Sequence, residues 1–373
     1  MDSQPPRHRT FARVRRLVVK IGTGVLTAPG GGLDAGCIDG LCSQFCRLAD
    51  RGIEVIVVSS GAIGAGINTL GLKRRPTLLP ELQAAAAVGQ NRLIAAYEAS
   101  LARLGRHAGQ VLLTREDLED RRRFVNAGNT IRELARMGAI PVINENDTVS
   151  VDEIKFGGND VLAALVLHVL KADAAIFLST VDGLYDAAGA VIDVVDCVTS
   201  DTMGLDTGRK SALGIGGMQT KLQSIQEITN AGDPVVIANG KTPDILLRVM
   251  DGEKIGTLFL AAETRMCGRK RWLLFSVKPR GTITIDEGAV RALVERNKSL
   301  LASGICEVKG TFGQGDVVAV AGPGGTVVAK GLTHYSSDEL AIIKGAKTSE
   351  IVPRLGYKYY DEVIHRDNLV TIE

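Results

Sequence analysis

The sequence has no apolar segment long enough to cross a membrane and no strong excess of charge of either sign. Its longest apolar run, Val161–Leu170, has ten residues and contains His168, whereas a membrane-spanning helix needs about 20. The 44 lysines and arginines nearly balance 42 aspartates and glutamates, so no overall field attracts nucleic acid or membrane surfaces. The N-terminal residues MDSQPPRHRT lack the apolar core of a signal peptide. We therefore expect a cytoplasmic protein that does not bind membranes.

Patterns typical of metal centres and disulfide frameworks are also missing. The six cysteines form no CxxC pair, and the five histidines form no HxxxH pair. Cys42 and Cys46 are one helical turn apart, but no histidine lies near them in the sequence. This usage is typical of ordinary thiols in a reducing compartment. We predict no metal-ligating residues.

What the sequence does contain is an alternation of short apolar strands and amphipathic helices. Such an alternation predicts an α/β fold with an open, mainly parallel sheet covered by helices on both faces. The strands are predicted at Val14–Ile21, Ile53–Ser59, Gln110–Leu113, Ala139–Ile143, Ala174–Leu178 and Pro234–Ala238. The main helices are predicted at Asp34–Arg51, from Pro80 to about Leu104, Asn159–Lys171 and Met218–Ala231.

The pattern changes near Leu260, where a charged connector is followed by short β-like runs divided by glycine turns. We therefore expect a small β-rich domain after a larger catalytic one. The predicted boundaries are a disordered N-terminus at 1–12, a catalytic domain at 13–260, a linker at 261–275 and the β-rich domain at 276–373.

Three glycine-bearing turns follow strands of the first domain, at Lys20–Gly24, Ser59–Gly66 and Gly214–Lys221. Glycines let backbone N–H groups approach phosphate oxygens, and a following helix adds partial positive charge. Each motif taken alone could equally be a tight turn that binds no ligand. Two of the turns carry a lysine, which favours phosphate binding. Neither P-loop spacing nor a dinucleotide fingerprint is present.

Two polar clusters accompany these turns. Asn144–Asp147 follows a predicted strand, and Asn159 with Asp160 begins an apolar helix. Carboxylates can bind an ammonium group and amides a carboxylate, so the pair indicates a zwitterionic substrate facing a nucleotide. For Asn159 alone, a turn followed by a helix cap is the favoured interpretation.

Five motifs in order carry a resemblance to a known family. They are Lys20-Ile21-Gly22-Thr23, Val58-Ser59-Ser60-Gly61-Ala62, Ile143-Asn144-Glu145-Asn146-Asp147, Asn159-Asp160 and Gly216-Gly217-Met218-Gln219-Thr220-Lys221. Together they resemble the glutamate 5-kinases, a branch of the amino-acid kinase family, and the tail resembles a PUA domain. The resemblance implies ATP-dependent phosphorylation of the L-glutamate γ-carboxylate to γ-glutamyl phosphate, the first step of proline biosynthesis.

The resemblance also implies roles for individual residues. Lys20 and Lys221 would be catalytic and contact the phosphates, whereas Ser60, Asp147 and Asn159 would bind glutamate. Asp160 is the third catalytic candidate, either holding the lysines or reaching Mg²⁺ through water. The ATP site would comprise Lys20, Ser179, Thr180, Ile215, Gly216, Gly217, Met218, Gln219, Thr220 and Lys221.

Two positions depart from the family pattern. Ser179-Thr180 stands where the family commonly has Thr-Asp, and Gly158 stands where an aspartate usually precedes Asn159. ATP and Mg²⁺ are the expected cofactors. Feedback inhibition by proline, a homodimer or homotetramer, and coupling to glutamyl phosphate reductase follow from the family.

Two other functions remain open at this point. One is another kinase of the same fold, acting on aspartate, acetylglutamate or UMP. The other is RNA binding through the tail, which we do not favour because residues 276–373 contain 12 basic and 12 acidic residues and phosphate-backbone binding needs a basic surface.

Overall fold

The protein is described here by a computed structural model. The structure describes residues 6–150, 158–205, 217–262, 270, 273–274 and 277–372. The chain divides into two compact units, Met1–Arg265 and Met266–Glu373.

The first unit is built on an eight-stranded sheet. Its strands in chain order are β1 (Arg16–Ile21), β2 (Glu54–Ser59), β3 (Ala108–Leu113), β4 (Ile140–Glu145), β5 (Ala174–Ser179), β6 (Val194–Val195), β7 (Val235–Asn239) and β8 (Thr257–Phe259). The spatial order is β3-β4-β2-β1-β5-β7-β8-β6. Neighbouring strands are parallel except β7 and β8, which pair antiparallel. The predicted mainly parallel sheet is therefore confirmed.

Helices connect the strands. They are α1 (Pro6–Phe11), α2 (Thr23–Leu26), α3 (Ala35–Asp50), α4 (Ala62–Thr69), α5 (Leu79–Ala102), α6 (Arg115–Glu119), α7 (Arg121–Arg136), α8 (Gly158–Leu170), α9 (Ser200–Gly204), α10 (Met218–Asn230) and α11 (Ile245–Met250). Side-chain caps define several starts. The Asp34 carboxylate accepts the Cys37 N–H at 3.0 Å, so α3 begins directly after it.

The alternation of side chains along β1 separates the two faces of the sheet. Leu17, Val19 and Ile21 belong to a buried core shared with α3, α5 and α11, which we call the first face. Lys20 has the opposite parity and contacts Asp160 of α8. We call that side, which also carries α10, the second face. Different helices therefore cover the two faces of the sheet and border its carboxyl edge.

The second unit contains a five-stranded sheet with the order β10-β9-β11-β12-β13. Its strands are β9 (Gly281–Ile285), β10 (Ile305–Gly310), β11 (Val317–Ala321), β12 (Val327–Leu332) and β13 (Leu369–Thr371), and its helices are α12 (Glu287–Val294), α13 (Ser337–Ile343) and α14 (Ile351–Leu355). Short 3₁₀ turns lie at Ala302–Gly304, Thr348–Glu350 and Arg366–Asn368. Apolar side chains from the strands and helices form a separate core.

The N-terminus differs from the sequence prediction. Residues 6–11 form α1 rather than a disordered segment, so that part of the prediction is wrong, and residues 1–5 lie outside the described residues. Arg7 explains the order, because its buried guanidinium donates to the Asp193 carboxylate at 2.9 Å and to the carbonyls of Ile255 and Gly256 at 2.9 and 2.7 Å.

Within the parts of the chain that the structure describes, every helix is too short or too polar to cross a membrane.

Candidate active site

The candidate site lies at the carboxyl edge of the sheet, where parallel strands end together and ligands bind in open α/β folds. β1 ends beside Lys20, β2 at Ser59, β4 at Glu145 and β5 at Ser179. The first turn of α8 contributes Asn159 and Asp160, and the first turn of α10 contributes Lys221.

Three charged side chains meet on the second face. The Lys20 Nζ lies 2.6 Å from the Asp160 Oδ1, and the Lys221 Nζ lies 3.0 and 3.1 Å from the two carboxylate oxygens of Asp160. All three side chains are less than a tenth exposed. We call these residues the lysine cluster. With one carboxylate between two ammonium groups it carries a net positive charge, which suits a phosphate ligand.

Burial and mutual contact shift the titration of this cluster. Desolvation lowers the pKa of Lys20 to about 8, since the attraction of Asp160 only partly offsets burial and repulsion by Lys221. Burial opposes ionisation of Asp160, yet the two lysines outweigh it and hold the pKa of that carboxyl below its ordinary value. The carboxylate is therefore ionised at neutral pH.

Amides and hydroxyls occupy the neighbouring part of the edge. The Asn159 Nδ2 shares its two N–H donors among the Ser60 Oγ at 2.9 Å, the Ser59 carbonyl at 3.2 Å and the Asn144 Oδ1 at 3.0 Å. The structure thus brings Ser60 and Asn159 together, next to Asp160 in the chain. Asn159 is more than a helix cap, because its amide joins the ends of β2 and β4 to α8.

Asp147 lies in the turn after β4, where the Asn146 N–H donates to the Leu113 carbonyl at 2.9 Å. The side chain is half-buried. Burial raises the pKa of Asp147 to about 6, and Arg75 offsets this only in part. Among the described residues, no hydrogen bond or ion pair joins Asp147 to the lysine cluster.

The ATP-site candidates divide between two loops. Gly217 is the N-cap of α10 and provides no side-chain cap for the first-turn N–H groups of α10, and uncapped N–H groups at a helix start are the kind of donors that bind phosphate. Met218, Gln219 and Thr220 follow in that turn, and Gln219 is exposed. Ile215 and Gly216 lie outside the described residues.

Ser179 ends β5 and Thr180 follows it, beside two glycine turns. The Gly240 N–H donates to the Ser179 carbonyl at 2.9 Å. A Cβ on Gly24 would lie 2.9 Å from the Thr180 methyl group. Thr180, part of the first departure from the expected pattern, therefore packs against the Lys20–Gly24 turn.

Gly158, the second departure, adopts a positive φ of 45°, and a Cβ there would meet no described residue within 4 Å. Its conformation rather than its size favours glycine. It lines a cavity with Arg115, Glu145 and the apolar side chains of Leu113, Val161, Leu162 and Leu165.

Two residues of the site's support were missed by sequence reasoning. The Asn144 Nδ2 donates to the Gln90 Oε1 at 2.8 Å, and the buried Tyr97 hydroxyl lies 3.0 Å from the Ser59 Oγ. Gln90 and Tyr97 both belong to α5 and are seven positions apart, so their side chains lie on the same side of the helix. The only signal was that spacing within an alanine-rich helix.

A magnesium ion bound by the protein itself does not fit the residues present. Among the described residues, no group of three or more His, Cys, Asp or Glu side chains could hold a metal ion. The Asp160 carboxylate lies beside the two lysines proposed to bind phosphate, but its oxygens are already bound by both of those lysines. We assign no reaction step to a protein-bound metal.

Comparison with known proteins adds independent information. Residues 15–239 match the model of the amino acid kinase family, and residues 281–355 match the PUA domain. The chain is 48% identical over 364 residues to "Glutamate 5-kinase" of Caldanaerobacter subterraneus subsp. tengcongensis, covering 96% of this chain and 98% of that protein. It is 46% identical over 372 residues to "Glutamate 5-kinase" of Geobacter sp. strain M21, covering 98% and 100%. A solved UMP kinase from Bacillus anthracis matches with a TM-score of 0.46 and 15% identity, covering 66% of this chain and 96% of that one.

Proposed function

This chain belongs to the glutamate 5-kinase family within the amino acid kinases, and we propose that it transfers the γ-phosphoryl group of ATP to the side-chain carboxylate of L-glutamate. The product is γ-glutamyl phosphate, which commits glutamate to proline synthesis. The observation that carries the proposal is the buried lysine cluster directly beside the Asn159–Ser60 pair.

The lysine cluster supports the phosphoryl-transfer step. In that step the γ-carboxylate oxygen bonds to phosphorus while the bond from phosphorus to the β-phosphate oxygen breaks, so ADP leaves. Charge spreads over the transferring oxygens in the transition state. Lys20 and Lys221 would stabilise that charge, and Asp160 would hold both ammonium groups in place. Mg²⁺ carried by ATP would neutralise further charge.

No general base is required, because a carboxylate is already a nucleophile at neutral pH. What the site must supply is alignment. We assign the Ser60 hydroxyl, which keeps its O–H to donate, to a carboxylate group of glutamate. The free Asn159 Oδ1 and the Asp147 carboxylate are acceptors, so we assign both to the ammonium group. Gly217–Thr220 and the loop Ser179–Thr180 would bind ATP, with Ile215 and Gly216 completing the proposed site.

The decisive experiment measures ATP turnover by the purified chain with L-glutamate, aspartate, acetylglutamate and UMP, trapping any acyl phosphate with hydroxylamine. Glutamate should give ADP and a hydroxamate, with the other acceptors at least about tenfold slower, since a site with fitted polar groups rejects mismatched substrates strongly. Faster turnover of another acceptor would overturn the assignment of substrate while retaining the kinase.

The remaining family expectations are part of the same proposal. We place the chemistry in residues 13–260, followed by a linker at 261–275 and the PUA-like domain at 276–373. We further propose a cytoplasmic homodimer or homotetramer that is inhibited by proline and passes its product to glutamyl phosphate reductase. Scattering measurements with and without proline would test the assembly.

A further inference from the structure

Three side-chain amides form a continuous hydrogen-bonded series from α5 to α8. The Asn159 Nδ2 donates to the Asn144 Oδ1 at 3.0 Å, and the Asn144 Nδ2 donates to the Gln90 Oε1 at 2.8 Å. We call Gln90, Asn144 and Asn159 the amide chain. It crosses the end of β4 on the first face of the sheet and ends in the first turn of α8.

Two backbone groups fix the direction of the amide chain. The Glu145 N–H donates to the Asn144 Oδ1 at 2.9 Å, so that atom must be the oxygen. The Asn159 Nδ2 donates to the Ser59 carbonyl at 3.2 Å, so that atom must be the nitrogen. Because Asn144 then directs its NH₂ group to α5, Gln90 must turn its oxygen toward Asn144. The orientation of all three amides is therefore determined.

The two ends of the amide chain find no partner in the part of the protein that the structure describes. Among the described residues, nothing forms a hydrogen bond with the buried Gln90 Nε2 or with the buried Asn159 Oδ1. Unpaired buried polar atoms are unfavourable, so a purely structural network would be expected to pair them. An unused acceptor on Asn159 is the kind of group that an amino-acid substrate can employ.

Helix α5 holds Gln90 rigidly. A Cβ on its neighbour Gly89 would lie 1.8 Å from the Ala62 carbonyl oxygen, so α5 and α4 cross in direct backbone contact. Tyr97, two turns after Gln90, contacts the Ser59 Oγ at 3.0 Å. These contacts keep α5 at a fixed distance from the turn that contains Ser60.

We propose that Gln90 is a positioning residue for the amino-acid substrate, acting through Asn144 to orient the Asn159 amide. Gln90 does not touch the reacting atoms. The inference rests on the proposed function, because it takes Asn159 as a substrate contact. Its consequence is that Gln90 controls the affinity for the amino acid and not for ATP.

A double-mutant cycle tests the inference in the full chain. Gln90→Leu and Asn144→Ala should each raise the KM for glutamate about fivefold or more, and the double variant should not exceed Asn144→Ala by more than about twofold, since residues acting in series are not additive. The KM for ATP should stay within about twofold throughout. Independent, multiplying effects, or a glutamate KM unchanged by Gln90→Leu, would overturn the inference.

Gln44→Leu is the matched control. Gln44 on α3 also bridges two elements, accepting from the Leu246 N–H at 2.9 Å and donating to the Gly40 carbonyl at 3.1 Å. It lies outside the proposed site. We expect Gln44→Leu to lower thermal stability as Gln90→Leu does, and to leave the KM for glutamate unchanged. Equal shifts of KM in both variants would reduce Gln90 to a structural role.

A spectroscopic readout separates this inference from the proposed function. In ¹H–¹⁵N spectra without substrate, Gln90→Leu should shift the side-chain NH₂ signals of both Asn144 and Asn159, whereas Gln44→Leu should leave them in place. Gln90→Met serves in the same way if the leucine variant does not fold. Unmoved Asn159 signals would refute the amide chain even in an active kinase. Shifted signals in a chain that does not phosphorylate glutamate would retain the chain and refute the function.

Discussion

The two faces of the sheet supply the two ends of the candidate site by different physical means. From the second face come Lys20, Asp160 and Lys221, whose opposite charges pair in a nearly dry setting and leave a net positive charge. From the first face come neutral groups, Asn144 and the hydroxyl of Ser59, supported by α5. Charge is thus concentrated where phosphate is expected, and directional hydrogen bonds where the amino acid is expected.

The difference between the faces has a chemical logic. Ion pairs are strong but weakly directional, so they suit a group whose charge moves during the reaction. Amide hydrogen bonds are directional, so they suit the recognition of one substrate shape. We therefore expect variants of the second face to affect turnover and variants of the first face to affect substrate affinity.

The largest expected effect comes from the lysine cluster. Lys20→Ala and Lys221→Ala should each lower kcat about 10²- to 10³-fold, because each removes a donor to transition-state charge. Lys254→Ala, at an exposed lysine that contacts Asp193 at 3.2 Å, should leave kcat unchanged. Steady-state kinetics in saturating glutamate measure the effect. Retention of more than about a tenth of kcat would remove either lysine from the chemistry.

Next in size is Asp147→Ala, which should raise the KM for glutamate about tenfold or more by removing a charged partner of the ammonium group. The KM for ATP should change less than about twofold. Asp147→Asn keeps the shape of the side chain, so its KM for glutamate should lie between those of the unmodified chain and Asp147→Ala. Equal changes of both constants would place Asp147 with the nucleotide.

The pH dependence should separate the two ends of the site. As the pH rises through the Lys20 pKa of about 8, Lys20 loses its charge, and kcat/KM for ATP should fall about tenfold per pH unit. As the pH falls through the Asp147 pKa of about 6, the carboxylate becomes neutral and the KM for glutamate should rise.

Asp147→Asn makes this prediction specific. In that variant the acidic limb of the glutamate KM should disappear while the alkaline limb for ATP remains. Persistence of the acidic limb would assign it to a group other than Asp147.

The smallest expected effect concerns Gly158. Gly158→Asp should change the KM for glutamate at least about threefold, equivalent to about 0.65 kcal/mol, because it adds a carboxylate next to Asn159. No described residue would touch a Cβ at this position, so overlap with those residues is not the cause. Gly158→Ala, with the same positive φ and no charge, controls for backbone strain. An unchanged KM would indicate that position 158 faces away from the substrate.

The sequence was sufficient to predict most strands of the sheet and the edge at which their loops gather. Apolar alternation predicted the strands that became β1, β2, β3, β4, β5 and β7, and parallel strands necessarily end at one edge. That edge brings Lys20, Asp160 and Lys221 into contact. The sequence alone was therefore enough to predict that these three residues, distant in the chain, lie at one site.

Other features depend on contacts that no local pattern encodes. Helix α1 is ordered by Arg7, whose partners Asp193 and Gly256 come 186 and 249 residues later in the chain. The strands β6 and β8 have two and three residues, too few for a periodic signal. Gln90 lies in a helix whose alanines indicate packing, and its role depends on Asn144 across the sheet.

The shared carboxylate of Asp160 also has a consequence for biosynthesis. Its two partners come from β1 and α10, so the chain must be synthesised through α10 before the cluster can form. Contacts this distant in sequence form late during folding. A nascent chain still emerging from the ribosome would therefore have its central strand long before it has a working site, and it would leave ATP untouched until the first unit is complete.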